Sequence, residues 1–177
     1  IVFEVQYLVD LVAAGAFDMI YHEHLDYHRL WPLKTFLRRM GFVMTYWEQI
    51  PTHGGSIRGT AKREGVECVT PNEPLDWKGL RAKIEAARDR VKSQGLMVAF
   101  GAAAKACTLI NELGIADQIA FCVDDTPQKQ FRYIPGTDIQ IKPVSSLRDE
   151  KVLLTAWNYE KEISRRIPNK LVNPFAR

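Results

Sequence analysis

The chain holds few cysteines. Cys68, Cys107 and Cys122 lie far apart with no CxxC pair, which argues against a disulfide scaffold and against a cysteine zinc site; a reducing cytoplasm is the compartment expected. Long apolar runs are absent too. The longest, Leu96 to Ala104, is strand-sized, well short of the roughly 20 residues a membrane helix needs. Neither charge dominates: 24 Lys+Arg against 21 Asp+Glu give a formal net charge of +3, and the excess is scattered. Neither a nucleic-acid nor a membrane partner is expected from it. There is no GxGxxG, no P-loop Lys-Ser/Thr, no internal repeat and no low-complexity stretch.

What is present is globular. Apolar residues make up 46% and charged residues 25% of 177, ordinary values for a folded chain of one domain, or one and a fraction. The first residue is Ile1, there is no charged leader, and the opening residues already look structural. The chain therefore reads as a piece of a longer protein.

The apolar spacing predicts a short strand over Ile1–Glu4, a helix carrying Tyr7, Leu8, Leu11 and Val12, and a second strand-length run over Phe17–Tyr21. A polar, aromatic loop runs from His22 to Trp31. A helix follows with Leu33, Phe36, Leu37 and Met40, then an antiparallel pair over Phe42–Trp47 and Ser56–Lys62. Residues 64–74, with Gly65, Pro71, Asn72 and Pro74, form the expected linker. A longer helix follows, with Leu80, Ile84, Ala87 and Val91 on one stripe. Beyond it, strands alternate with helices: Leu96–Phe100, helix Lys105–Leu113, Ile119–Val123, Ile139–Ile141, a helical turn Ser145–Arg148, Val152–Ala156 and helix Glu160–Ile167. That alternation predicts a small parallel sheet covered by helices.

Four clusters carry candidate chemistry. Tyr21-His-Glu-His24 follows an apolar run at a strand end, where α/β sheets place their ligands. Acid/base work, a metal held by His22 and His24 with His28, His53 or a carboxylate, and a merely solvated strand end all fit it. Were it a strand, His24 would face away from Tyr21 and Glu23, so convergence requires the chain to leave strand geometry after Tyr21. Thr52-His-Gly-Gly-Ser-Ile-Arg58 fits either a close backbone approach to a ligand, with Arg58 clamping an anion, or a hairpin turn. Gly101-Ala-Ala-Ala-Lys105 opens a helix and can aim N–H groups at an anion, or simply pack tightly. Asp124-Asp-Thr-Pro-Gln-Lys129 offers an acid for a ribose hydroxyl or turn chemistry; Arg132, Tyr133 and Pro135-Gly-Thr137 continue its loop, and Trp157-Asn-Tyr159 closes the last strand.

These runs together resemble the S-adenosylmethionine-dependent C-methyltransferases that act on nucleotide-linked deoxysugars. Phe17-Asp-Met-Ile-Tyr-His-Glu-His24 and His53-Gly-Gly-Ser-Ile-Arg58 carry the first half of the likeness. Gly101–Lys105, Asp124–Lys129, Ile134-Pro-Gly-Thr137, Ala156-Trp-Asn-Tyr159 and Glu162-Ile163 carry the second, in matching order over nearly the whole chain. One departure is Gln130-Phe131, where the family pattern shows Lys-Gln-Gly.

The resemblance implies an α/β chain in three parts. Residues 1–63 would be the end of a class I methyltransferase sheet, 64–74 a linker, and 75–177 a lead helix with a Rossmann-like nucleotide-sugar-binding domain. The loop that binds S-adenosylmethionine, and a zinc domain, would lie in a missing N-terminal part, so this piece alone is expected to be inactive and to bind no metal. His24 would be the general base, with Tyr21 and Glu23 orienting substrate or stabilising charge. His53, Gly54, Gly55, Arg58, Lys105, Lys129, Arg132 and Asn158 would contact the nucleotide-diphosphate sugar. The uncovered half-sheet suggests self-association. Two rivals stand beside this reading: a non-catalytic nucleotide-sugar-binding module, and a metal enzyme using His22, His24 and His53.

Overall fold

The computed structural model describes residues 1–176, the side chain of His53 excepted. The chain divides into two compact units, residues 1–16 with 24–80, and residues 17–23 with 81–177.

In the first unit, β1 (Val2–Gln6), α1 (Leu8–Ala14), α2 (Leu30–Arg39), β2 (Val43–Ile50) and β3 (Ser56–Lys62) form a three-stranded antiparallel sheet, ordered β1-β3-β2, with two helices. Alternation along β3 sorts its residues. Ile57 and Ala61 are fully buried with Met44, Leu30 and Leu37, each large side chain contributing about 2–3 kcal/mol by leaving water. On the other face Arg58 and Lys62 are exposed. Residues 64–74 are packed onto this unit. Glu73 is buried, and its carboxylate accepts the free amides of Leu30 (2.8 Å) and Trp31 (3.1 Å), capping α2 from afar because its N-cap, Arg29, supplies no side-chain acceptor. Glu67 pairs with Lys34 and Arg38.

The second unit is built on a five-stranded parallel sheet. The helix α3 (Trp77–Lys92) leads into β4 (Met97–Phe100), α4 (Ala104–Leu113), β5 (Ile119–Val123), β6 (Ile141–Lys142), β7 (Val152–Leu154), α5 (Glu160–Ser164) and β8 (Leu171–Val172). The strand order is β6-β5-β4-β7-β8, the Rossmann order in which the chain starts at the centre, moves outward one way, then crosses to the other side. All four residues of β4 are buried, as a strand covered on both faces must be. Met97 and Ala99 join Ala87, Val91, Leu109 and Leu113 on one face. Val98 and Phe100 join Ile163 and Ile167 on the other.

Three local expectations are corrected. Phe17–Tyr21 is not a strand: Phe17–Met19 is a 3-10 turn with all three residues buried, and periodicity alone cannot tell a short buried turn from a strand. The strand expected at Ile139–Ile141 joins the parallel sheet only at Ile141 and Lys142, while Gln140 makes an isolated antiparallel bridge with Tyr133. The last helix stops at Ser164, and β8, unforeseen because two residues carry no pattern, pairs in parallel with β7.

Candidate functional site

A parallel sheet of this order presents two places for a ligand at its carboxyl edge: the crevice at the switch point between β4 and β7, and the neighbouring ground between β4 and β5. The chain itself occupies the first. Gly101 ends β4 at φ +101°, and a Cβ there would lie 2.8 Å from the Ala156 Cβ, so glycine is needed for the two strand ends to approach. The Thr155 hydroxyl sits 2.6 Å from both the Phe100 and the Gly101 carbonyl oxygens. Above them Lys105 Nζ donates to Asn158 Oδ1 and lies 4.6 Å from the centre of the Trp157 ring. The Trp157 indole donates to Asp18 Oδ2 at 2.6 Å. Lys105 is only 8% exposed; burial lowers its pKa, and the Asp18 charge acts the other way. Burial likewise pushes Asp18 up to about 6, against the Trp157 hydrogen bond and the Lys105 charge.

On the β4–β5 side lies a cavity of about 310 Å³. Ala102, Ala103 and Ala104, at the start of α4, form one wall. Ile134, Pro135, Ile141 and Cys107 form an apolar side, and Lys129, Arg132, Tyr133 and His22 supply the polar groups. The N-cap of α4, Ala103, offers no side-chain acceptor, so amides in that first turn are available to an anion. Asp124 frames the cavity: it accepts the amides of Ala102 (2.7 Å) and Thr126 (2.8 Å) and lies 3.5 Å from Lys129 Nζ. Burial works against its charge, but those hydrogen bonds and Lys129 outweigh it and hold the carboxyl below its usual range. Its oxygens are thereby engaged, which leaves the ribose role suggested for this position to other groups.

Among the expected site residues, the cavity brings together Lys129 and Arg132. Lys105 and Asn158 are paired with each other in the switch-point crevice and do not line the cavity. Tyr21 and Glu23 belong to the second unit, His24 to the first. Glu23 lies 3.9 Å from His22, both well exposed, and the Tyr21 and His22 rings meet edge-on at 6.3 Å. Because Phe17–Met19 turns rather than extends, strand alternation does not govern the four residues from Tyr21. In the first unit Arg58 is held by Glu4 at 2.9 Å and Glu48 at 3.6 Å, its two cross-strand neighbours in register, so its charge is already matched. Gly54 and Gly55 have φ of +85° and +130°. A Cβ on Gly55 would fall 2.3 Å from that of Asp10, so the close approach made by this turn is to the chain itself. The His53 side chain lies outside the described residues. Among the described residues no group of three or more His, Cys, Asp or Glu could hold a metal, and no helix is long and apolar enough to cross a membrane.

His22, Tyr133 and Asp18 were not singled out as substrate-site or positioning residues. His22 figures in the sequence as one of the Tyr21–His24 cluster, with acid/base work or metal binding open to it, and Tyr133 as a continuation of the Asp124 loop. A buried aspartate in a run of apolar residues was the one signal for Asp18. At Phe131 the backbone takes φ +66°, a left-handed conformation that glycine adopts more readily than phenylalanine. Its amide and the Arg132 carbonyl are both bonded to Ile141, at 2.7 and 2.8 Å, which ties this loop to β6.

A Rossmann-type parallel sheet with a cationic cavity beside its first helix defines an α/β protein. Residues 76–172 match the family described as the C-methyltransferase C-terminal domain, and the chain belongs to that family. It is 32% identical over 187 aligned positions to C-methyltransferase NovU of Streptomyces niveus, an alignment covering 90% of this chain and 44% of that protein. The chain thus spans less than half the length of this curated relative.

The family's methyl donor, S-adenosylmethionine, does not fit the residues present. The single strand–glycine–helix unit of the parallel sheet, β4–Gly101–α4, has its acid tied to backbone amides and its crevice filled by Asp18 and Trp157.

Proposed function

We propose that the chain is the substrate-side part of a C-methyltransferase acting on a carbon next to the ketone of a nucleotide-linked deoxysugar. The observation that carries this reading is the cavity in which His22, from the Tyr-His-Glu-His run, lies with Lys129 and Arg132. Two cations and uncapped helix amides suit a diphosphate. The apolar wall and Tyr133 suit the less polar parts of such a ligand.

Alkylating a carbon beside a ketone first requires removal of a C–H proton. His24 is assigned that proton, which leaves an enolate. Tyr21 and Glu23 orient the sugar or steady the developing charge. A base held in position contributes about 10²–10⁴-fold, and a donor at the enolate oxygen a further effect of the same kind. S-adenosylmethionine, the family's donor, would supply the methyl group to that carbon.

The test is methyl transfer by the full-length enzyme. His24→Ala lowers kcat by about 10²–10⁴-fold while the affinity for the nucleotide sugar stays within threefold. Retained turnover removes His24 from the base role. A second reading, a binding module without chemistry, draws on the cavity lying wholly within one unit. It predicts nucleotide-sugar binding with no methylation in the full-length protein.

A further inference from the structure

The switch-point crevice of the parallel sheet is filled by a segment from far back in the sequence, and the segment enters side chain first. Asp18 is fully buried. One carboxylate oxygen takes the Trp157 indole N–H at 2.6 Å; the other, Oδ1, is buried with no hydrogen-bond partner. An apolar residue would fill this space without desolvating a carboxylate. A carboxylate adds direction, because the indole that it meets is itself fixed, edge-on to Phe175 at 5.0 Å and under the Lys105 ammonium at 4.6 Å. Two further contacts hold the same short segment. The Phe17 ring enters the core beside Phe175, and Thr108 on α4 donates to the Ile20 carbonyl at 3.3 Å. His22 follows two residues later. Its side chain is 80% exposed, yet it lines the cavity with Lys129 and Arg132.

We infer that Asp18 is a positioning residue: its bond to Trp157 fastens the Phe17–Glu23 segment into the crevice and thereby sets His22 at the mouth of the Lys129–Arg132 cavity. The consequence for substrate rests on the proposed function; the fastening does not. In that reading the anchor registers the Tyr-His-Glu run against the diphosphate, so that the sugar, bonded to the diphosphate, arrives beside it. Phe17 supplies burial, which tolerates small rotations of the turn. The indole–carboxylate bond does not tolerate them, and four residues on, a small rotation would carry the imidazole away from the cavity.

The experiment is NMR on the 177-residue chain and its Asp18→Ala, Trp157→Phe and Asp18→Asn variants. The first readout is the set of NOEs from the His22 ring to the Ala103 and Ala104 methyls. The second is titration with uridine diphosphate, followed at Lys129 and Arg132. The wild type shows the NOEs. Asp18→Ala and Trp157→Phe lose most of their intensity with the β4 and β7 amides unmoved, and Asp18→Asn, which keeps an acceptor for the indole, restores them. If Asp18→Ala does not fold, Trp157→Phe decides. NOEs missing in the wild type, or kept in full by both disrupting variants, overturn the inference. If the NOEs behave as expected and uridine diphosphate moves neither Lys129 nor Arg132, the anchor stands and the nucleotide-sugar reading falls.

Discussion

The Asp124 carboxylate lies 2.7 Å from the Ala102 amide, a bond between the ends of two neighbouring strands. It fixes the loop that opens α4 against the loop that carries Lys129, the two walls of the cavity. Asp124→Ala leaves the Ala102 and Thr126 amides without their acceptor. Each such loss costs about 1–3 kcal/mol, so urea unfolding is expected to show a loss of about 2–6 kcal/mol. The carboxyl is held below its usual value, so its contribution is present above about pH 4 and fades as pH falls through the folded-state value. Wild type and Asp124→Ala should therefore converge in stability in acid.

Asp18 predicts the opposite pH dependence. Its pKa is raised by burial to about 6, with Lys105 and Trp157 as the groups facing it. The folded state therefore holds a proton that the unfolded chain releases near pH 4, and stability falls as pH rises from about 4 to about 6. The loss is at most about 3 kcal/mol. Asp18→Asn, which does not titrate, should lack it. The check is the difference in unfolding free energy between the two proteins from pH 4 to 7.

The cations should separate by place. Lys129 and Arg132 line the cavity, whereas Lys105 faces Asn158 and Trp157. Lys129→Ala and Arg132→Ala should each weaken nucleoside diphosphate binding about tenfold, the worth of one charge-assisted hydrogen bond. Lys105→Ala should change it less than threefold and instead lower the melting temperature. Calorimetric titration and thermal unfolding of the three variants check this.

Glycine is expected to relieve the backbone at one position. Phe131 sits at φ +66° with its side chain exposed, so Phe131→Gly removes backbone strain while losing little packing. A gain in stability of up to about 1 kcal/mol is expected. Gly101→Ala runs the other way, with φ +101° and a Cβ 2.8 Å from that of Ala156, and is expected to cost about 1–3 kcal/mol.

The alternating half of the fold was legible because continuous apolar strands and amphipathic helices repeat there: Met97–Phe100, Ala104–Leu113 and Ile119–Val123 stand about where periodicity puts them. Phe17–Met19 was not, since a buried 3-10 turn and a short strand share one apolar pattern. The Pro- and Gly-bearing stretch 64–74 reads as a linker, yet Glu73 is tied to α2 over 42 residues, a contact with no local signature. Of the candidate site, Lys129 and Arg132 were readable from their place after a strand. The partners of Lys105, Asn158 and Arg58 were not, because cross-strand register and the crevice contact decide them. His22 at the cavity was not readable either: the contact inferred to position it joins Asp18 and Trp157, 139 residues apart.

The cavity beside α4 is proposed to hold a nucleoside diphosphate next to His22. The most direct measurement is an NMR titration of the chain with uridine diphosphate and, separately, with S-adenosylmethionine. Uridine diphosphate is expected to shift Ala102–Ala104, Lys129, Arg132, Tyr133 and His22 along one saturating curve, and S-adenosylmethionine to shift none of them. Saturating uridine diphosphate that leaves these residues in place, or S-adenosylmethionine that moves them, would contradict it.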